Sequence, residues 1–120
     1  ITRDRIHKDA LARFEHLLDG YFRSDKPQTI RLPSMSYGAS ELHLSAKYFG
    51  DLMKGETGKS AQEYIQDKVI NLAKERVLDN SKTISEITHE IGFKHPSHFA
   101  RLFKQRVGQS PNEYRLVNQP

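Results

Sequence analysis

Between Ile91 and Asn112 the chain carries the cationic residues Lys94, Arg101, Lys104 and Arg106 and no acidic residue, with Ser97 and His98 interleaved among them. Guanidinium groups offer hydrogen-bond donors in a rigid fork, and lysine offers a mobile point charge. Both suit phosphate oxygens, and the fork also matches the acceptor edge of guanine. The chemistry on offer is therefore recognition rather than bond making. A cationic stretch by itself is also what an ordinary solvated helix face looks like, so placement decides its meaning. Two other chemistries are weaker. His95 and His98, with His89 nearby, lack a third or fourth metal ligand at workable spacing. The chain has no cysteine, which excludes disulfides and thiolate metal sites. No Ser/His/Asp arrangement, glycine-rich phosphate loop or paired carboxylate set is present, so neither an enzyme nor a cofactor is expected.

The elements that must place these residues are legible from their caps. Thr83 is expected to cap a short helix whose inward face is Ile84, Ile87 and Ile91. Gly92 follows, where a helix C-terminus favours a left-handed residue. Phe93 and Lys94 make the turn, His95 takes the N-cap, and Pro96 opens a helix to about Val107. Helix, glycine-containing turn and helix form the helix-turn-helix layout. With Phe99 set at zero on an ideal wheel, Phe103 and Leu102 fall within about 60° of it, on the buried side. Lys104, Ser97 and Arg101 fall at about 140°, 160° and 200°, on the opposite side.

An earlier segment has the same plan. Ser34 is expected to cap a helix through about Leu42, Leu44 fills the turn, and Ser45 caps a second helix. Phe49, Leu52 and Met53 face inward, while Lys47, Asp51 and Lys54 face outward with Gly50 at the edge. Gly50 costs about 1 kcal/mol relative to alanine inside a helix. Ser36, Gly38 and Ser40 are poor helix formers in the supporting helix. Asp51 would repel phosphate but can accept a hydrogen bond from a cytosine amino group. This copy could thus dock mainly on phosphates or be a source of specificity.

The two segments are copies. Residues 46–64 align without gaps on 96–114, with Phe49/Phe99, Leu52/Leu102, Lys54/Lys104, Gly58/Gly108, Ser60/Ser110, Glu63/Glu113 and Tyr64/Tyr114 identical. Two copies are too few for a solenoid and fit a pair of matched binding units. Between them, a helix from Ala61 to about Asp79 spans about 28 Å, against about 34 Å between successive major grooves. One chain could then read a non-palindromic site. Capping boxes at Thr83–Glu86, Ser60–Glu63 and Ser110–Glu113 mark an all-α chain. Tyr64 and Tyr114 are expected in the core or an interface, their hydroxyls on backbone partners.

Upstream, Ile6, Ala10, Phe14, Leu17, Leu18, Tyr21 and Phe22 form the apolar stripe of a helix over residues 3–22. It ends before Pro27, and residues 26–33 read as a linker. The organisation expected is 1–32 as N-terminal helix and connector, 33–59 and 81–120 as the two helix-turn-helix units, and 60–80 as the long linking helix. The 120 residues, 36% hydrophobic and 28% charged, suit a small globular protein, and the net charge of +4 suits a polyanionic partner. No apolar run approaches the roughly 20 residues of a membrane span, and no signal peptide is visible, so a cytoplasmic protein is expected. The first residue is Ile, which suggests a piece of a longer protein.

These segments resemble the AraC/XylS family of bacterial transcription regulators over about Pro33 to Arg115. The resemblance rests on LHLSAKYFGDLMKGETGKSAQEYI in the first unit and ISEITHEIGFKHPSHFARLFKQRVGQSPNEYR in the second. It implies a domain of about seven helices with two recognition helices in adjacent major grooves of double-stranded DNA. Carried over by position, base contacts fall at Lys47, Gly50 and Asp51 and at Ser97, His98 and Arg101, beside the outward Lys54 and Lys104. Two positions depart from the family pattern. His95 stands where Asp or Asn is usual, and Gly38 where a bulky apolar residue is usual. The segment before Lys26 resembles the linker that follows a sensor or dimerisation region, and RNA polymerase is a further expected partner. A rival of another class is a protein-interaction module, and a third possibility is the output domain of an enzyme or a two-component receiver.

Overall fold

A computed structural model describes residues 2–119 as eight helices, with no strand among them. They are α1 (Thr2–Arg23), α2 (Lys26–Thr29), α3 (Met35–Glu41), α4 (Ala46–Thr57), α5 (Ala61–Val77), α6 (Ile84–Ile91), α7 (Pro96–Val107) and α8 (Pro111–Val117). The all-α, two-unit expectation holds, with one helix more than the seven that the resemblance implies. The addition is α2, a single turn in the stretch read as linker. Pro27 stands second in it and is buried, and proline in the first turn of a helix forfeits no hydrogen bond.

Local chemistry sets most helix ends. The hydroxyls of Ser34, Ser45, Thr83 and Ser110 accept from the backbone N–H three residues on. Reciprocal capping boxes close at Thr83–Glu86 and Ser110–Glu113, and at Ser60–Glu63 with both bonds within 3.3 Å. Gly58, Gly92 and Gly108 end α4, α6 and α7 in the left-handed conformation. The Glu86 and Glu113 carboxylates are held below the ordinary glutamate range, chiefly by the backbone N–H groups of Thr83 and Ser110. A folded-state pKa below the unfolded one adds stability above the unfolded value, and that stability is lost as pH falls through the folded value. Urea unfolding is therefore expected to show stability falling with acid below roughly pH 4.3, the value of free glutamate. Glu86→Gln should flatten that fall, and an unchanged acid slope would sink the explanation.

The chain divides into two compact units. One comprises the residues up to Asp25 together with Pro33–Gln66. Its core joins Phe14 and Leu18 of α1 to Phe49, Leu52 and Met53 of α4, with Phe14 and Phe49 edge-on at 5.0 Å. The α1 helix is thus a wall of this unit. The stripe starts at Ala10, because Ile6 is 53% exposed and Leu17 only half-buried. Gly38, a poor helix former in sequence terms, answers to packing. A Cβ there would lie 2.7 Å from Phe14 Cε1, so the phenyl ring occupies the space a side chain would need. The Tyr64 hydroxyl, expected on a backbone partner, instead donates to the Glu15 carboxylate at 2.8 Å. Burial and that carboxylate push the phenol well above its usual range.

The other unit comprises Lys26–Leu32 and the residues from Asp67 onward. Ile87, Ile91, Phe93, Phe99 and Phe103 are buried, with Val69, Ala73 and Val77 of α5. Aromatic rings run in sequence through it, Phe93 on Phe99 at 5.2 Å, Phe99 on Phe103 at 5.7 Å and Phe103 on Tyr114 at 5.5 Å. The Arg115 guanidinium donates to the carbonyls of Val77, Asp79 and Lys82, tying α8 to the end of α5. Here α2 packs on α6.

Candidate nucleic-acid interface

In the second unit, α6 and α7 flank a turn of Gly92 to His95, as the caps imply. Pro96 occupies the first turn of α7, while His95 makes no side-chain cap bond. Its carbonyl does accept from the N–H groups of His98 and Phe99, so the helix starts through backbone alone. Phe99, Leu102 and Phe103 are buried, which turns Ser97, Arg101 and Lys104 to solvent. His98 is exposed too, its ring edge-on to buried Phe93 with centroids 5.3 Å apart. That contact limits the rotamers His98 can adopt.

Charge is distributed less evenly than the sequence suggests. Arg106 is paired with Asp67 of α5, thirty-nine positions away, and is thereby neutralised. Lys104 lies near enough to Glu113 to help lower its pKa. The Arg101 side chain makes no hydrogen bond or ion pair with another described residue. It is the exposed, uncommitted fork on the outward face of α7.

The first unit presents the same frame with different chemistry. Phe49, Leu52 and Met53 are buried on α4, and Lys47, Asp51 and Lys54 are exposed. Lys47 and Asp51 pair with each other at 3.3 Å, one helical turn apart, on side chains 88% and 73% exposed. Such a pair is weak in water, but it offsets the acidic charge of Asp51 on this face. Gly50 is half-buried, and a Cβ there would meet only Met35 Sδ at 3.9 Å. The fold would accept alanine at this position.

Tyr48 is the feature that the residue pattern did not single out. It stands in the first turn of α4, 44% exposed, and its hydroxyl lies 3.1 Å from His7 Nε2 on α1. The signal available in sequence was its alignment with His98 in the repeat. Among the described residues, His, Cys, Asp and Glu form no group of three or more that could hold a metal ion. No described helix is long and apolar enough to cross a membrane.

Comparison with known proteins places this geometry. A family model described as a helix-turn-helix domain matches residues 39–116. The HTH-type transcriptional regulator YfiF of Bacillus subtilis is 36% identical over 79 residues, covering 66% of this chain and 25% of the relative. The HTH-type transcriptional regulator YobQ of the same organism is 29% identical over 121 residues, covering 90% of this chain and 50% of the relative. The chain thus spans a quarter to a half of the length of these relatives. Among solved structures, a Chromobacterium violaceum transcriptional regulator described as an AraC-type DNA-binding-domain protein superposes with a TM-score of 0.79 at 21% identity, covering 94% of this chain and 96% of that one. At that identity the likeness speaks for the fold.

Proposed function

The chain belongs to the AraC/XylS family of helix-turn-helix transcription regulators, and from that premise we propose that it reads a specific duplex DNA sequence with α4 and α7 set in adjacent major grooves. The observation that carries this is the outward face of α7, where Arg101 stands exposed without an acidic partner beside Ser97, His98 and Lys104. A guanidinium fork in a major groove pairs with guanine O6 and N7. In this reading Ser97, His98 and Arg101 address base edges, and Lys104 neutralises phosphate.

On α4, Lys47 and Asp51 address bases as a coupled pair, Gly50 lets the backbone approach the duplex, and Lys54 takes phosphate. The absence of a side chain at position 50 is not demanded by the fold, which supports a role outward. Binding of this kind releases counterions and weakens steeply with salt. RNA polymerase and an N-terminal sensor or dimerisation region are the partners proposed for the regulator as a whole, acting in the cytoplasm.

Selection of bound duplexes from a random pool should yield a discrete motif. On that motif, Arg101→Ala is expected to reduce the preference over random duplex by about 1–3 kcal/mol. Lys104→Ala should weaken binding to every sequence alike and reduce the salt slope by about one. A cognate-to-random ratio that Arg101→Ala leaves untouched would remove Arg101 from base reading. No enriched motif and no shifted band at moderate salt would favour a protein-interaction module instead.

A further inference from the structure

Each copy of the repeat places an aromatic side chain third in its outward-facing helix, Tyr48 in α4 and His98 in α7. Each ring is held edge-on by a ring from outside that helix. Phe93 holds His98 with planes at 84°, and His7 holds Tyr48 with centroids 5.9 Å apart and planes at 73°. The repeat position of Phe93 in the first unit is His43, which is exposed, so the buttress there comes from α1 instead. The same local arrangement is reached from two different parts of the chain.

His7 does more than Phe93. Its Nε2 lies 3.1 Å from the Tyr48 hydroxyl, so the phenol is tethered to α1, while its Nδ1 lies 3.7 Å from the Glu56 carboxylate, outside hydrogen-bond reach. A tyrosine that only filled space would bury its ring, yet Tyr48 remains 44% exposed. It lies about 100° around the helix from Lys47, on the flank of the outward stripe. The tether to α1 draws the hydroxyl further from the centre of that stripe. A groove presents base edges to the centre of an inserted helix and phosphates to its flanks. The hydroxyl has one proton and two lone pairs, so in the His7 tautomer that carries its hydrogen on Nε2 it accepts from the ring and keeps its own proton for a phosphate oxygen.

The geometry points to Tyr48 as a duplex contact of the first unit, its hydroxyl on a backbone phosphate, with His7 as the residue that positions it. This rests on the reading of α4 as a recognition helix. Because the phenol is already oriented in the free protein, binding forgoes less side-chain entropy than a free tyrosine would.

The test is titration of a fluorescent duplex, recovered from the random pool, against the wild-type chain and its variants. Tyr48→Phe keeps the ring and should weaken binding about tenfold, in line with loss of a hydrogen bond to a charged group. The salt slope should stay at its wild-type value, since a neutral hydroxyl displaces no counterion. His7→Ala should weaken binding in wild type and add nothing in the Tyr48→Phe background, as expected of residues that act through one contact. His7→Gln, which retains a donor at similar reach, should restore part of the loss. Thermal midpoints are expected to match wild type throughout. Wild-type affinity in Tyr48→Phe overturns the contact, and additive losses in the double variant overturn the positioning by His7. If the wild-type chain binds no duplex, the failure lies with the recognition reading itself.

Discussion

Gly92→Ala is expected to destabilise the protein by about 3 kcal/mol, combining left-handed strain of about 1–2 with overpacking of about 1–3. Gly92 has φ +118°, and a Cβ would lie 3.1 Å from the Arg31 carbonyl carbon and the Leu32 nitrogen and 3.2 Å from the Pro27 oxygen. These are backbone atoms, which cannot rotate away as a side chain can. Gly108 supplies the control. It ends α7 at φ +89°, and a Cβ there would find nothing within 4 Å. Gly108→Ala should therefore show the strain alone, about 1 kcal/mol. Urea unfolding of both variants separates the contributions. Equal losses would mean that the backbone approach at Gly92 contributes nothing.

A loss of about 3–5 kcal/mol is expected for Phe14→Ala, the range for removing a buried phenyl ring. The size matters because Phe14 lies outside the region that the repeat defines. Its ring meets Phe49 at 5.0 Å and Tyr64 at 5.8 Å and fills the space over Gly38. The pairing with Gly38 gives a second reading. Gly38→Ala should destabilise the native chain by overpacking, yet cost far less beside Phe14→Ala, where the added methyl enters the vacated space. Strictly additive losses in the double variant would show that the two positions do not share a packing site.

What could be read from the residues was what local chemistry decides. Thr83 and Ser110 with their glutamates, Pro96 and the terminal glycines act within a few positions, so the ends of α6, α7 and α8 follow directly from their neighbours. The buried face of α7 was legible for a related reason, since helical periodicity sorts Phe99, Leu102 and Phe103 from Ser97, Arg101 and Lys104. Contacts that close across many positions were not legible. Arg106 counts as a free cation until the fold brings Asp67 to it. Gly38 looks like a weakness until Phe14 is seen against it. The stretch around Pro27 lacks any period long enough to announce a helix, and only its packing on α6 gives it a role. At the interface the sequence pattern supplied the outward residues, whereas the neutral pairing of Lys47 with Asp51 and the His7–Tyr48 tether needed geometry.

The division of the chain bears on how it is made. Residues 26–32 pack with a unit whose remainder begins at Asp67, and all of 33–66 lies between them. During synthesis that short stretch emerges well before Gly92, the residue whose backbone it lies against. It must wait, exposed, while the α3–α4 pair is completed around α1. The first helix-turn-helix can therefore mature while its sibling is still being translated, but the reverse order is closed. A fragment starting at Asp67 would lack Pro27 and its neighbours however long it were given to fold.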